Sequence, residues 1–429
     1  MMKADFVVAG CRQLLTCGGG VPKRKKTLED VGLIENGWIA GYKGRIVFVG
    51  TEKDFQRGVE FESGGLRLDG DGLVGLPGFV DSHTHLPFAG NREEEFSLRL
   101  KGWTYQQLAE KGLGIKTTVR ATRQIPKANL KDDCLRRLDQ MLLHGTTTAE
   151  AKSGYGLNLE DEIKQLEVIR EAAEIHPVDL VPTFMGAHDI PEEYRSRKED
   201  YIDLLVHKII PKVRHQDLAR FFDVFCEKGV FSVEETERLA EAAKAAGFGI
   251  KIHADEFTPL GGAELAAKVG AASADHLIAI TDAGIKALAK SSTAATLLPG
   301  VSFFLMQERK APARKLIEAG AIVALATDFN PGSSMTESML FVLQLGVFTL
   351  RMSIEEAVNA ATINGACALR MGDDVGSLEA GKKMDLILCD IPSYLSLVYH
   401  LGVNPITHVI KNGRLVVRDG RLRYSPKAP

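Results

Sequence analysis

Two patterns of apolar positions divide the 429-residue chain. Residues 1–72 and 376–429 contain short apolar runs, such as Arg45-Ile-Val-Phe-Val49, which are separated by Gly and Asp. Asn412-Gly413 stands between two such runs, and this pair is a strong signal for a β-hairpin. Runs of this kind predict short strands joined by tight turns. We therefore expect 1–72 and 376–429 to build one small β-sandwich domain together.

Residues 73–375 follow a different pattern, in which apolar strand-like runs alternate with stretches of helical period such as 159–175, 233–246 and 311–319. Eight strands with intervening helices predict an α/β fold, a (β/α)8 barrel of the TIM type. A doubly wound open sheet would need a Gly-rich phosphate loop after its first strand, and the sequence has none there. The predicted strands end near His85, Lys152, His188, Glu227, His253, His276, Pro299 and Asp328.

Composition narrows the classes of partner. The 53 Lys and Arg against 56 Asp and Glu give a formal charge of -3, so we expect no nucleic acid and no membrane as a partner. The six cysteines are scattered without a Cys-x-x-Cys pair, which indicates a reducing compartment. The N-terminus does not have the pattern of a secretory signal. We expect a soluble, cytoplasmic protein.

The segment 18–34 contains the one basic run, Lys23-Arg-Lys-Lys26, after three glycines. We expect this run to be a solvated loop and the whole segment to touch only the small domain.

Histidine and aspartate stand at the predicted strand ends, where the chemistry of such barrels takes place. His83 and His85 are two residues apart, so along a strand both side chains point to one face. His253 and Asp328 each close a later apolar run, and a buried aspartate needs a partner. Taken singly, His83 and His85 are two polar residues at a strand end and Asp328 is a helix N-cap. Together the four predict a site for a divalent metal with room for water.

Three more residues leave two interpretations each. His276 could accept a proton from water on the metal or could be a further metal ligand. Glu256 could orient that water or carry a proton to a leaving group, or could be a solvated loop carboxylate. His188 could donate to a substrate carbonyl or be a satisfied core histidine.

Longer motifs resemble a known family. The stretch Pro77-Gly-Phe-Val-Asp-Ser-His-Thr-His85, with Asp328 and the flanking β segments, resembles the amidohydrolase superfamily, whose fold is a metal-bearing barrel with a small β-sandwich made from both termini. Within it, further motifs are similar to the imidazolonepropionase family: His85-Leu-Pro-Phe-Ala-Gly-Asn-Arg92, Glu150-Ala-Lys-Ser-Gly-Tyr-Gly156, Asp223-Val-Phe-Cys-Glu227 and Thr327-Asp-Phe-Asn-Pro-Gly-Ser333.

This resemblance implies hydrolysis of the cyclic amide of 4-imidazolone-5-propanoate to N-formimino-L-glutamate, in histidine degradation. It implies a homodimer and one divalent ion per subunit, zinc or iron, held by His83, His85, His253 and Asp328. A second ion near Lys228 is left open. Glu256, His276 and Asp328 are the expected catalytic residues. The implied substrate contacts are Arg92, Tyr105, Tyr155, His188, Glu256, Asn330, Gly332 and Ser333.

Two other functions share part of this pattern. A deaminase of the same superfamily, acting on a purine or pyrimidine ring, would have the same histidines and Asp328. Arg92, whose planar fork suits a carboxylate, favours an anionic substrate instead. A non-catalytic relative built on the same barrel would be expected to have lost metal ligands, and all four are present.

Overall fold

The computed structural model describes residues 1–103, 107 and 111–424. These residues form a nine-stranded mixed sheet and an eight-stranded parallel sheet. The predicted α/β class, a (β/α)8 barrel with a separate β layer from both termini, is confirmed.

The strands follow one another in three groups along the chain. The first group is β1 (Met2–Leu15), β2 (Leu33–Tyr42), β3 (Arg45–Gly50), β4 (Val59–Asp69) and β5 (Val74–Pro77). The barrel strands are β6 (Phe79–Asp81), β7 (Thr146–Lys152), β8 (Asp179–Ala187), β9 (Phe221–Cys226), β10 (Gly249–Ala254), β11 (Ser273–His276), β12 (Ala294–Leu297) and β13 (Ile322–Leu325). The last group is β14 (Leu386–Cys389), β15 (Ile406–Lys411), β16 (Arg414–Arg418) and β17 (Arg421–Leu422).

The α-helices of the described residues lie mostly between the barrel strands. They are α1 (Glu52–Gly58), α2 (Glu93–Leu100), α3 (Ile115–Gln124), α4 (Lys127–Leu143), α5 (Leu159–Ile175), α6 (Lys198–Leu204), α7 (Ile210–His215), α8 (Val233–Ala245), α9 (Gly262–Val269), α10 (Asp282–Ala289), α11 (Pro299–Phe304), α12 (Ala313–Ala319), α13 (Met339–Leu350), α14 (Ile354–Ala361), α15 (Ile363–Ala368) and α16 (Ser396–Tyr399). None of these described helices is both long enough and apolar enough to cross a membrane.

Helix α8 illustrates why the predicted helical stretches fold as they do. Ser232 and Glu235 form a reciprocal capping box that satisfies free N–H groups at its start. The helix buries Leu239, Ala240 and Ala243, which recur at helical spacing on one face. That face packs against β9 and β10, so the local pattern and the tertiary contact agree.

The barrel strands run in chain order from β6 to β13. The chain just beyond these two outer strands closes the ring. Asp328 N donates to His83 O over 3.0 Å, and His85 N donates to Phe329 O over 3.0 Å. Both predicted metal-ligand segments therefore lie side by side at the C-terminal face of the barrel.

The mixed sheet joins the two ends of the chain. Strand β5 pairs in parallel with β1 and antiparallel with β14, so the N-terminal and C-terminal strands share one sheet. Since β5 belongs to the mixed sheet and β6 to the barrel, the chain passes from one to the other at Gly78. The division of the chain into a β-sandwich domain, 1–72 plus 376–429, and a barrel domain, 73–375, stays a prediction.

The basic run packs differently from our expectation. The side chain of Lys23 is buried, and its backbone exchanges hydrogen bonds with the side chain of Asn364 in α15. Arg24 donates to Ala289 O, Ser291 O and Gly320 O at 2.7–3.1 Å. The prediction of a solvated loop that touches only the small domain is therefore wrong for Lys23 and Arg24. The carbonyl groups at the ends of two barrel helices attract the cation.

Candidate metal centre and substrate cavity

Three of the four predicted ligands meet in one buried cluster. His83 and His85 follow β6 and His253 lies in β10, and one ring nitrogen of each lies within 4.8 Å of the others. Asp328 Oδ1 lies 3.3 Å from Nε2 of His83 and 3.3 Å from Nε2 of His85. The structure thus brings all four side chains together, although they come from three distant parts of the chain.

Among the described residues, the atoms that face one another in this cluster have no hydrogen-bond partner. His83 Nε2, His253 Nε2 and Asp328 Oδ1 are all buried and unpaired. Buried polar atoms are rarely left unsatisfied, because the cost is about 1–3 kcal/mol each. Neutral imidazole and carboxylate are ligands for divalent transition metals. The donor set therefore fits a metal ion.

Two aspartates that sequence reasoning missed orient the imidazoles. Asp275 Oδ2 lies 2.7 Å from His83 Nδ1, and Asp223 Oδ1 lies 3.0 Å from His253 Nδ1. A hydrogen on each Nδ1 leaves the Nε2 lone pair for a metal. Burial lowers the pKa of His83 and His253 well below the ordinary value, so both rings are neutral. Alternation along β9 and β11 points these aspartates inward and could have identified them.

Beneath the cluster the barrel interior is ionic rather than apolar. Lys152 Nζ lies 2.7 Å from Glu150 and 2.6 Å from Asp223, and Lys251 Nζ lies 2.8 Å from Glu150 and 3.7 Å from Asp275. All five side chains are fully buried. Three carboxylates and two ammonium groups leave one net negative charge under the imidazoles.

Two residues of the site have unusual backbone conformations. Asp328 has φ 49° and His276 has φ 77°, which are values in the left-handed region for residues that carry a Cβ. Such strain concentrates at functional sites, where the surrounding structure holds it in place. For Asp328, the bond from its N–H to His83 O is one such restraint. Burial raises the pKa of the Asp328 carboxyl to about 6, although the attraction of His276 acts in the opposite direction.

Glu256 and His276 form a second pair beside the cluster. Their nearest polar atoms, Glu256 Oε1 and His276 Nδ1, lie 3.6 Å apart. Glu256 is 7% exposed, which excludes the interpretation as a solvated loop carboxylate. Burial, and then the nearby Asp328 and Glu227, raise the pKa of Glu256 well above its usual value. Burial lowers the pKa of His276 to about 4, so its ring is neutral near pH 7.

Glu227 holds the loop that carries Glu256. Its carboxylate accepts from Phe257 N at 2.9 Å and from Thr258 N at 3.3 Å, and it also binds the Thr258 hydroxyl. Glu227 thus fixes the two residues that follow Glu256. Lys228, the next residue along the chain, is exposed, whereas the imidazoles are buried.

Tyr155 and His188 form an aromatic wall next to the histidine cluster. The His188 ring stacks on the His85 ring, with centroids 4.9 Å apart and an interplanar angle of 21°. Tyr155 lies against both rings, at 5.9 Å from His85 and 5.3 Å from His188. His188 Nδ1 lies 3.0 Å from Gly154 O, which favours the tautomer whose Nε2 is an acceptor. Burial lowers the pKa of His188 to about 3.

Two side chains that lie outside the sequence motifs hold the loop that contains Tyr155. Glu162 accepts hydrogen bonds from the N–H groups of Gly154, Gly156 and Leu157 at 2.8–3.1 Å. Gln165 accepts from Tyr155 N at 3.1 Å. Both belong to α5, so the helix acts as a template for the loop.

Arg92, Asn330 and Gly332 are further predicted substrate contacts. Arg92 is held by Glu95, with Nε donating over 2.8 Å and Nη2 over 2.5 Å. A Cβ on Gly332 would lie 2.0 Å from Arg92 Nη1, so a larger residue there would displace this guanidinium from its position. The Asn330 amide bonds within its own loop, to the N–H groups of Gly332 and Ser333 and to Asp328 O. Asn330 therefore shapes the loop.

One cavity connects these groups. It has a volume of about 320 Å³, and its lining includes His85, His253 and Asp328 together with Arg92 and Gly332. Tyr155, His188, Glu256, His276, Asn330 and Ser333 also line it. His83 lies behind this surface. Tyr105 lies outside the described residues.

Comparison with known proteins agrees with this architecture. A model of the amidohydrolase family matches residues 74–416. The imidazolonepropionase of Symbiobacterium thermophilum is 50% identical over 424 residues, which cover 99% of this chain and 100% of that protein. The imidazolonepropionase of Geobacillus sp. (strain WCH70) is 48% identical over 420 residues, covering 97% of this chain and 99% of that protein.

Solved structures of low identity support the fold. A zinc-bound adenosine deaminase from Xanthomonas campestris is 18% identical with a TM-score of 0.70, covering 98% of this chain and 95% of that chain. An E. coli guanine deaminase is 16% identical with a TM-score of 0.72, and the match covers 96% of this chain and 99% of that chain. The barrel, the buried histidine cluster and the 50% sequence identity over 99% of this chain agree with one another. The chain belongs to the amidohydrolase family and, within it, to the imidazolonepropionases.

Proposed function

We propose that the chain hydrolyses 4-imidazolone-5-propanoate to N-formimino-L-glutamate. Water adds to the ring carbonyl carbon, and the carbon–nitrogen bond of the cyclic amide breaks. The carbon becomes a carboxylate and the freed nitrogen takes a proton. One observation carries the proposal: a buried histidine cluster and the guanidinium group of Arg92 line the same cavity. A small ring with an acidic tail matches these two features.

His83, His85, His253 and Asp328 would hold one divalent ion, zinc or iron. When bound, such an ion supplies Lewis-acid polarisation of the ring carbonyl and lowers the pKa of a water molecule. The exposed position of Lys228 supports a single ion, because a lysine that bridges two ions would be buried with the imidazoles. Metal analysis of the purified protein tests both the identity of the ion and its stoichiometry.

Proton transfer is assigned to three residues around the cluster. Asp328 and the neutral His276 are placed to take the proton that water gives up, since both line the cavity beside the imidazoles. Burial raises the pKa of Glu256 well above its usual value and so favours the protonated form, which can donate to the departing nitrogen. A positioned acid or base contributes about 10²- to 10⁴-fold to a rate.

Arg92, Tyr155 and His188 are assigned to substrate binding. The guanidinium group of Arg92 is suited to the propanoate, as a charge-assisted donor to a carboxylate. The rings of Tyr155 and His188 offer flat faces for a planar imidazolone. With Nδ1 donating to Gly154 O, the Nε2 atom of His188 is left to accept a hydrogen bond from the substrate.

The other two interpretations fit the cavity less well. A neutral purine or pyrimidine has no carboxylate to balance the net positive charge that Arg92, Arg99 and Glu95 leave on the cavity wall. A non-catalytic barrel would have no need to retain the unpaired ligand atoms of His83, His253 and Asp328 in one place.

The test supplies imidazolonepropanoate to metal-replete protein and follows N-formiminoglutamate by mass spectrometry. We expect product with the wild type and none with His253→Ala as the blank. Arg92→Ala should reduce turnover of the anionic substrate much more than any turnover of adenosine or guanine. Release of ammonia from adenosine or guanine, without hydrolysis of imidazolonepropanoate, would contradict the proposal.

The assembly is proposed to be a homodimer of a cytoplasmic enzyme. Apolar side chains are exposed on two helices that pack together, with Phe348 on α13 at 59% and Tyr399 on α16 at 88%. Light scattering after size exclusion tests the subunit count. A Tyr399→Glu variant that remains dimeric would show that this face is not the contact.

A further inference from the structure

An arginine outside every sequence motif lies beside Arg92 in the cavity. Arg99 is in the last turn of α2, seven residues after Arg92, and it lines the same cavity. Glu95 stands between them in the chain, three residues after Arg92 and four before Arg99. Residues three and four apart lie on one helix face, so the spacing alone brings the three side chains together.

The Glu95 carboxylate binds both guanidinium groups at once. Its Oε1 accepts from Arg92 Nη2 at 2.5 Å and from Arg99 Nη2 at 2.6 Å. Its Oε2 accepts from Arg92 Nε at 2.8 Å and from Gly114 N at 2.9 Å. With four donors around its two oxygens, Glu95 has no free position left for a ligand. It is 3% exposed, so this arrangement is part of the cavity wall.

The two arginines retain donors that Glu95 does not use. Arg92 Nη1 abuts the Cα of Gly332, at the place where any larger residue would carry a Cβ. Arg99 reaches Gly332 O only at 3.4 Å from each terminal nitrogen, which is long for a hydrogen bond. Both unused edges therefore lie against the same glycine on the cavity wall.

The charge of the group matches a monoanion. Burial acts to raise the pKa of Glu95, but the hydrogen bonds and charges of Arg92 and Arg99 outweigh it, and the pKa is lowered. Glu95 is therefore an anion, and two guanidinium groups with one carboxylate leave a single positive charge. A propanoate carries one negative charge.

We propose that Arg99 is the second cation of the carboxylate subsite and that Glu95 is the positioning residue that holds Arg92 and Arg99 at its wall. The inference rests on the proposed substrate and assigns a role to two residues that no motif identified. In the alternative, Glu95 competes with the substrate for the arginines.

The experiment measures binding separately from turnover. The probes are 3-(imidazol-4-yl)propanoate, which has no ring carbonyl to hydrolyse, and its neutral propanamide. Calorimetry gives the Kd of each with wild type and with Arg99→Met. A charge-assisted hydrogen bond contributes 1.5–3 kcal/mol, about 10- to 140-fold in Kd. We expect Arg99→Met to weaken propanoate binding by that factor and to change propanamide binding less than about threefold.

Conservative and matched variants separate a specific role from a structural one. Arg99→Lys retains the charge but loses the planar fork, so it should fall between wild type and Arg99→Met. Arg136→Met, on an exposed side chain of α4, should bind like the wild type. Equal weakening of both probes by Arg99→Met, or no weakening of either, would overturn the assignment.

Glu95→Ala tests the positioning role. It should raise KM for imidazolonepropanoate at least about tenfold with a much smaller change in kcat, because both guanidinium groups lose their common anchor. A lowered KM would mean that Glu95 competes with the substrate, and the positioning role would be wrong. If the wild type binds the propanoate but does not hydrolyse the imidazolone, the proposed function fails and the carboxylate subsite stands.

Discussion

Replacing Lys152 by methionine should be the most destabilising single change in the barrel interior. The ammonium group lies within 2.7 Å of Glu150 and Asp223 and 4.0 Å from Asp275, and all these side chains are fully buried. Burial acts to lower the pKa of Lys152, but its attraction to Asp223 and Glu150 outweighs burial and raises the pKa. The residue is therefore charged in the folded protein.

The size of the effect follows from what the substitution leaves behind. Removing one partner of a buried ion pair costs about 3–5 kcal/mol, because the other charge is left uncompensated. Lys152→Met leaves three carboxylates with one ammonium group, so the interior charge changes from minus one to minus two. Methionine has a similar length and fills the space, so little of the loss should come from a cavity.

The measurement is urea unfolding of the metal-free protein, because a bound ion would add its own stabilisation. Because the slope increases with chain length and should be about 3–6 kcal/mol/M here, we expect the midpoint to fall by about 0.5–1.7 M. Lys268→Met is the matched control: its ammonium group is also 2.5 Å from a carboxylate, Glu237, but the side chain is 66% exposed. An exposed pair of this kind contributes at most about 1 kcal/mol.

A double variant separates charge balance from packing. Lys152→Met with Glu150→Gln restores a net charge of minus one and should recover part of the lost stability. If Lys152→Met shifts the midpoint no more than Lys268→Met does, the ionic interior does not contribute to stability in the way argued here.

Further predictions concern the cavity wall and the loops that carry it. Gly332→Ala should raise KM for imidazolonepropanoate about tenfold or more, since its Cβ would lie 2.0 Å from Arg92 Nη1, and circular dichroism should be unchanged. Glu162→Ala leaves three loop N–H groups without their acceptor and should lower the free energy of unfolding by about 1–3 kcal/mol, measured in urea. Arg137→Met should lower it by about 1–3 kcal/mol, because the guanidinium group lies 3.5 Å from the Phe88 ring centroid and donates to two loop carbonyls. Dialysis against a chelator should abolish turnover and lower Tm, and added zinc or iron should restore both; full activity in metal-free protein would contradict the metal centre.

The metal cluster could be predicted because its signal is local. His83 and His85 show the two-residue period of a strand, and His253 and Asp328 each end an apolar run at the face where barrel chemistry takes place. The alternation of strand and helix patterns is enough to predict the eight strand ends. For these residues the sequence pattern alone predicts their position in the fold.

Residues that act through contacts between distant elements could not be predicted in this way. Asp275 orients His83 across 192 positions of sequence, and Arg137 reaches the loop carbonyls of Leu86 and Phe88 from α4. Their role depends on which elements pack together, and an aspartate or arginine by itself does not show this. Arg24 is the clearest error, because a basic run among glycines is typical of a solvated loop, whereas its partners are backbone carbonyls that no sequence pattern marks.

The two sites in the cavity therefore differ in how they are built. The metal site consists of side chains at the C-terminal ends of β6, β10 and β13, whose positions are set by the barrel. The proposed carboxylate subsite consists of a helix and a loop, where Glu95 must neutralise one of two arginines before the other can act as a single charge for the substrate. Substitutions at the first site should therefore remove catalysis altogether. Substitutions at the second should change which acid or amide the enzyme accepts, and this difference is measurable in one set of kinetic constants.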